Sequence, residues 1–178
     1  MLVLFAPTAS GKTALLQTLF ARSSLSFFKG TAEIVSADSM QVYRGMDIGT
    51  AKPDAHLLSE LPHHLIDICD PDDFFSVADF VARADDACAD IFSRGKLPVV
   101  SGGTGFYIRS FMLGLPDTPP VDMDLRAKLQ DEMRTLGAQK LWERLLSLDP
   151  ESAARIHKND AYRIQRALEI VTETGKKR

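Results

Sequence analysis

Leu2-Val3-Leu4-Phe5-Ala6-Pro7-Thr8-Ala9-Ser10-Gly11-Lys12-Thr13-Ala14-Leu15-Leu16 follows directly on Met1, and its reading decides the fold. Four consecutive apolar residues, Leu2 to Phe5, predict a parallel strand buried on both faces. From Lys12 onward, Leu15, Leu16, Leu19 and Phe20 recur at helical spacing. Between strand and helix, Ala6 to Thr13 carries the spacing of a Walker A loop, in the strand–loop–helix setting that gives this motif its meaning. Backbone N–H groups of such a loop, with the helix N-terminus, surround phosphate oxygens. Lys12 adds a mobile positive charge and Thr13 a hydroxyl suited to Mg²⁺. Ala6 stands where the pattern has its first glycine. Alanine reaches fewer backbone conformations, so an altered loop geometry is expected there. The motif points to a diphosphate-bearing ligand and leaves the reaction open.

Outward from the loop, Ile34 to Ala37 reads as a second strand. The stretch from Asp38 to Pro71 is rich in Gly, Pro, Asp and His with little periodicity, and so long an irregular segment is usually functional. Ser76 opens a helix, with Asp79 as its capping-box partner. Val77, Phe80, Ala84, Cys88 and Ile91 form its apolar stripe, Gly95 ends it, and Leu97 to Val100 is a further buried strand running into Ser101-Gly102-Gly103. Alternating strands and helices predict an α/β fold, a P-loop NTPase-like parallel sheet flanked by helices. The texture changes near residue 115. Pro116 to Pro120 reads as a linker, and only helical patterns follow: Leu125, Leu129, Met133 and Leu136, then Leu141, Trp142, Leu145 and Leu148. Asp149-Pro150 breaks the run, and Ile164, Leu168 and Val171 lie on a last helix stopped by Gly175. The expected division is a P-loop core over 1–115 and an all-helical appendage over 116–178.

Composition sets limits. The chain has 178 residues, 45% hydrophobic and 25% charged, with a formal net charge of -3. Whole-chain charge supplies no general attraction to nucleic acid, so RNA contact would need a local patch. The two cysteines, Cys69 and Cys88, form no zinc spacing and are expected as reduced, buried thiols. No apolar stretch approaches the roughly 20 residues of a spanning helix, and Met1 to Phe5 is too short for a signal-peptide core. A soluble, cytoplasmic protein without a membrane partner is expected.

Asp38 lies just past the second strand, where the carboxyl ends of strands face the ligand crevice. Spacing alone leaves it a metal ligand, a general base or a helix cap. His63-His64 raises a metal reading, but adjacent histidines diverge and no third ligand stands near, so a structural role is expected. Tyr43, Phe106 and Tyr107 could stack on a base or pack in the core. Trp142 sits on the apolar stripe of its helix and reads as core. Arg155, Lys158, Arg163, Arg166, Lys176, Lys177 and Arg178 outnumber Asp160, Glu169 and Glu173 around them. They suit either RNA contact or a solvated face.

Five strings taken together, Ala6 to Thr13 (APTASGKT), Ser36 to Pro53 (SADSMQVYRGMDIGTAKP), Pro62 to Asp67 (PHHLID), Gly102 to Tyr107 (GGTGFY) and Arg163 to Glu169 (RIQRALE), resemble the tRNA dimethylallyltransferase (isopentenyltransferase) family. The resemblance implies transfer of a dimethylallyl group from dimethylallyl diphosphate to the N6 amine of an adenosine beside the anticodon of tRNA. It implies that the loop Ala6, Pro7, Thr8, Ala9, Ser10, Gly11, Lys12 and Thr13 holds the diphosphate, with Mg²⁺ on Thr13. Lys12, Asp38 as general base and Thr104 near the leaving diphosphate would be the catalytic set. Asp38, Ser39, Met40, Gln41 and Thr104 would hold the extruded adenosine. Arg126 and Tyr162, Arg163, Ile164, Gln165 and Arg166 would touch the anticodon stem-loop. Members of the family continue beyond the equivalent of Arg178, so the resemblance implies a monomer shortened at its C-terminus that binds pyrophosphate and turns over poorly. Three other functions compete: a P-loop kinase of small molecules or nucleotides, a prenyltransferase acting on free adenine nucleotide, and a non-catalytic RNA-binding module.

Overall fold

The computed structural model describes residues 1–115 and 122–175. They fall into two compact units, Met1–Pro116 and Asp117–Arg178. The linker expected over Pro116 to Pro120, and the basic Lys176, Lys177 and Arg178, lie outside the described residues.

The first unit contains β1 (Leu2–Phe5), α1 (Lys12–Phe20), β2 (Ala32–Ser36), α2 (Ala55–Glu60), β3 (His63–His64), α3 (Val77–Ser93), β4 (Leu97–Gly102) and α4 (Gly105–Leu113). The strands form one parallel sheet in the order β1-β4-β2-β3. Side chains alternate across β2 and β4, so Ile34 and Val99 face one side while Val35 and Val100 face the other. Leu16, Phe20, Leu57 and Leu61 from α1 and around α2 cover the first side. Phe80, Ala84, Ile91, Tyr107 and Ile108 from α3 and α4 cover the second. The result is an α/β sheet with helices on both faces, as expected from alternating strand and helix signals.

Three local expectations are corrected. β1 is an edge strand rather than a doubly buried one: it pairs with β4 alone, and Leu2 and Phe5 are 44% and 57% exposed. An apolar run marks a strand without fixing its place in the sheet. The stretch 38–71 holds both α2, whose N-terminus Asp54 caps by accepting the Leu57 N–H, and β3, paired to Ile34 and Val35. Each is too short to show a period. His63 and His64 are therefore strand residues rather than loop. By contrast α3 has the capping box read from Ser76 and Asp79.

The second unit is helical: α5 (Met123–Leu148), α6 (Pro150–Arg155) and α7 (Ala161–Thr174). Gly137, at φ 81° and ψ 163°, interrupts α5, a conformation that favours glycine. α6, missed in the sequence, begins at the very Asp149-Pro150 pair that ends α5: Asp149 caps it and Pro150 occupies its first turn. Leu129, Leu141, Leu145, Ile164 and Leu168 form the core, while Leu136 and Leu148 are exposed. Trp142 packs against this core and donates its Nε1–H to the Ala153 and Ile156 carbonyls.

Candidate active site

The loop after β1 delivers Lys12 and Thr13 to the N-terminus of α1. Its backbone is left-handed at Ala9 (φ 63°) and Gly11 (φ 84°), whereas Ala6 is not among the positive-φ residues. The alanine that needs a left-handed backbone is thus Ala9, three residues after the Ala6 position where an altered loop geometry was expected. Lys12 Nζ donates to the carbonyls of Ala6 and Pro7, both at 2.6 Å, and to Ser10 Oγ at 3.4 Å. The ammonium is held over the loop whose amides would receive a phosphate.

Asp38 leaves β2 two residues past its end. Its Oδ1 accepts the N–H groups of Met40 at 2.9 Å and Gln41 at 3.3 Å. One carboxylate oxygen therefore fixes the turn, and the other remains for chemistry. Of the three readings open for Asp38, a turn-capping role and a base are compatible in one side chain. Thr104, which precedes α4, reaches the same turn: the Ser39 N–H donates to its Oγ1 at 3.1 Å, and that hydroxyl lies 3.4 Å from Ser39 Oγ. Gln41 is committed within the protein. Its Oε1 accepts from Ser36 Oγ, and its Nε2 donates to the carbonyls of Thr50 and Ala51. Met40 is exposed and reaches no core cluster.

Thr8, Lys12, Thr13, Asp38, Gln41, Gly102 and Gly103 line one cavity of about 80 Å³, whereas Ser39, Met40 and Thr104 are not among its lining residues. The glycines permit a close approach. A Cβ on Gly102 would sit 2.0 Å from the Ala37 carbonyl oxygen. The cavity also takes in Thr50, Ala51 and Pro53, which had no individual role in the sequence reading, and His63, which had a structural one. Lys52, with a side chain 5% exposed, ties this wall down by donating to the Tyr43 carbonyl at 2.9 Å, Asp47 at 2.7 Å and Asp67 at 2.6 Å. Burial opposes its charge, but the two carboxylates outweigh burial and raise its pKa. The backbone around it is left-handed at Ala51, Leu65 and Asp67, the kind of conformation found where surrounding contacts over-determine the chain.

His63 and His64 do not converge. His63 Nδ1 bonds the Leu61 carbonyl at 2.7 Å, and burial lowers its pKa. His64 Nε2 bonds Glu33 Oε2 at 2.8 Å. Among the described residues no group of three or more His, Cys, Asp or Glu side chains could hold a metal. Cys69 and Cys88 are free thiols. The open reading of the aromatics resolves residue by residue: Tyr107 is buried and stacked on Phe80 at 4.5 Å, its hydroxyl pushed up to about 12 by burial, while Phe106 is exposed and Tyr43 half-buried against the core.

In the second unit, Tyr162 is 78% exposed and Arg163 is exposed beside Asp160. Ile164, grouped with them in the sequence reading, is fully buried among Leu129, Leu141 and Leu168. Its side chain packs and does not face a partner, because α7 turns that face to the core. Arg126, Gln165 and Arg166 all donate to Glu169. Arg155 pairs with Glu151. The surface read as basic is thus laced with carboxylates, Glu151 included.

A family model described as IPP transferase matches residues 41–178. A tRNA dimethylallyltransferase 2 of Geotalea uraniireducens is 51% identical over 176 residues, 99% of this chain and 54% of that protein. A tRNA dimethylallyltransferase of Geobacter sulfurreducens is 47% identical over the same shares. Among solved structures, the full-length tRNA isopentenylpyrophosphate transferase of Bacillus halodurans is 42% identical with a TM-score of 0.57, over 98% of this chain and 56% of that one. A eukaryotic dimethylallyltransferase described as acting on tRNA is 29% identical with a TM-score of 0.73, over 99% of this chain and 42% of that one. The chain spans about half the length of the curated relatives it matches.

Proposed function

The chain belongs to the IPP transferase family, and on that premise we propose that its first unit transfers a dimethylallyl group from dimethylallyl diphosphate to the N6 amine of an adenosine beside the anticodon of tRNA. The observation that carries the reading is the meeting, in one cavity, of a phosphate loop and a carboxylate already anchored through a single oxygen. The diphosphate lies on the loop amides at the N-terminus of α1, and Lys12 exchanges its carbonyl partners for phosphate oxygens. Amine nitrogen attacks the allylic carbon, the carbon–oxygen bond to the diphosphate breaks, and the unanchored oxygen of Asp38 takes the amine proton. An aromatic amine is a weak nucleophile, so accepting its proton as the bond forms lowers the barrier. Loop amides and Lys12 stabilise charge growing on the leaving group. The Thr104 hydroxyl, which accepts the Ser39 N–H, would steady the turn that carries Asp38.

The Thr13 hydroxyl is a hard oxygen donor that fits Mg²⁺ and would hold it beside the loop; when bound, the ion would neutralise charge on the leaving group. The adenosine must leave its stack to enter the cavity, at a cost of a few kcal/mol. Gln41 lines that cavity but is committed to Ser36, Thr50 and Ala51, and Met40 and Ser39 on the same turn would meet the base from outside the cavity wall. Tyr162 and Arg163 on the second unit would meet the stem-loop. No helix among the described residues is long and apolar enough to cross a membrane, and we place the reaction in the cytoplasm.

The test is incubation with unmodified tRNA, labelled dimethylallyl diphosphate and Mg²⁺, followed by digestion. Prenylated adenosine is expected. Label transfer to AMP in preference to tRNA would move the assignment to a free-nucleotide prenyltransferase. Phosphoryl transfer from ATP would make the chain a kinase, and tRNA binding without any turnover dependent on Asp38 would make it a binding module.

A further inference from the structure

Ala51 and Pro53 both line the cavity beside the phosphate loop, while Lys52 between them is not among its lining residues. The Lys52 side chain is instead buried, 5% exposed. An ammonium has three donors, and its three are spent on the Tyr43 carbonyl at 2.9 Å, Asp47 Oδ1 at 2.7 Å and Asp67 Oδ1 at 2.6 Å. One charge thus joins the chain beyond the Asp38 turn, the loop that follows it and the residues just after β3. Gln41 closes the same loop from the cavity side. Its Nε2 donates to the Thr50 carbonyl at 3.0 Å and the Ala51 carbonyl at 3.2 Å, and its own carbonyl accepts the Asp67 N–H at 3.1 Å. Asp67 is therefore held by Lys52 and Gln41 together. Gln41 lines the cavity on the same turn as Asp38, which places it on the side where the amine loses its proton.

Taking an ammonium out of water is costly, and apolar packing often closes a fold as well. What the charge supplies is direction: it fixes three oxygens around one point, whereas apolar contact is non-directional. The loop needs such a tie, because its backbone is left-handed at Gly45, Gly49 and Ala51, and an alanine keeps that conformation where neighbours impose it. We infer that Lys52 is a positioning residue for the acceptor: it sets the wall of Thr50, Ala51 and Pro53 and, through the Thr50 and Ala51 carbonyls, the aim of the Gln41 amide beside the adenine. Lys52 itself touches neither substrate. The inference rests on the prenyl-transfer reading above. The diphosphate side is built independently, from the loop backbone and Lys12, so Lys52 governs the acceptor alone.

The experiment measures binding of two labelled anticodon stem-loops to the 178-residue chain. One carries the adenosine beside the anticodon, the other is abasic at that position, and pyrophosphate binding is the control. Lys52→Met keeps the length of the side chain and removes its charge. Asp47 and Asp67, with side chains 65% and 43% exposed, take water in place of the ammonium, so the fold is expected to persist. The substitution is expected to weaken the adenosine stem-loop about tenfold, the scale of one charge-assisted hydrogen bond, and to leave the abasic stem-loop and pyrophosphate unchanged. A merely structural Lys52 would instead weaken both stem-loops alike, or weaken pyrophosphate as well. Either result, or wild-type affinity for all three, overturns the inference. If Lys52→Met does not fold, Lys52→Arg decides. It keeps the charge in a planar fork that cannot face the same three oxygens, so a loss confined to the adenosine stem-loop supports the inference, and equal or absent losses overturn it. Failure of the wild-type chain to bind either stem-loop removes the tRNA reading and the inference together, whereas binding that Lys52→Met leaves intact removes the inference alone.

Discussion

In the first unit, Asp38 is held by the N–H groups of residues two and three positions away, and Lys12 by carbonyls five and six positions back. In the second, Arg126 finds its partner Glu169 across 43 residues. One cluster is built by backbone shape over a handful of consecutive residues, the other by side chains that meet only once helices have packed. The difference predicts how each should fail. A backbone-built site keeps its form when a side chain loses its chemistry, while a side-chain-built site loses direction when any member is removed.

The sharpest way to break this contrast is Asp38→Asn. Asparagine retains an oxygen for the Met40 and Gln41 N–H groups, so the turn should persist while the proton acceptor is gone. Prenyl transfer is expected to fall about 10²- to 10⁴-fold, the range of a lost general base, with pyrophosphate affinity unchanged in a titration. Equal losses of turnover and pyrophosphate affinity would mean that the carboxylate was holding the site together rather than serving it.

Gly102→Ala attacks the backbone instead. Its Cβ would lie 2.0 Å from the Ala37 carbonyl oxygen and 2.8 Å from the Ala37 Cα, with no flexible atom to yield. Separation of β2 from β4 at that point should cost about 3 kcal/mol of folding stability, at the upper end for overpacking. Denaturant unfolding measures it. A loss below about 1 kcal/mol, the bottom of that overpacking range, would show that the seam beside the cavity adapts and that its geometry is not set by close approach.

The same contrast explains what the sequence could and could not disclose. The phosphate loop, the Ser76 cap and the Asp149 breaker are each local: a few neighbouring residues carry both the signal and the structure, and all three stand where they were expected. Asp38 was legible as a position but not in its division of labour, because nothing local says which oxygen caps and which is free. Edge placement of β1, the strand character of His63-His64 and the inward turn of Gln41 depend on partners elsewhere in the fold, which no local pattern encodes. Thr50, Ala51, Pro53 and Lys52 were passed over because a loop with no period gives no facing. Ile164 misled for a simpler reason: in a motif of charged and polar neighbours, one apolar residue marks the side of the helix that faces the core.

Glu33 offers a comparison inside the first unit, as a buried carboxylate gathered by Arg94 at 2.6 and 2.7 Å, Lys96 at 2.9 Å and His64 at 2.8 Å. The Arg94 guanidinium, with Lys96 and His64, holds its carboxyl well below the ordinary value of 4.5. A group whose folded pKa is depressed contributes stability that is fully present above its unfolded pKa and is lost as pH falls toward the folded one. Glu33→Gln should therefore cost about 2 kcal/mol at pH 7, less than a fully buried broken pair because Arg94 is 40% exposed. The gap from wild type should narrow as pH drops below about 4.5. A gap that stays constant from pH 7 to pH 3 would show that Glu33 matters for packing rather than charge.

The smallest effect tests the loop itself. Ala9 sits at φ 63°, where an alanine carries roughly 1 kcal/mol of strain that glycine does not. Glycine also loses more freedom on folding, by about 0.5–1 kcal/mol. The two terms oppose each other, so Ala9→Gly should leave stability within about 0.5 kcal/mol of wild type. Ala6 has no left-handed backbone to relieve, and Ala6→Gly meets only the entropic term, a loss of about 0.4–1 kcal/mol. Paired melting curves would separate them. Stabilisation by Ala6→Gly with destabilisation by Ala9→Gly would put the strain back at the first position of the motif, and the loop that holds Lys12 would then have a different shape from the one described here.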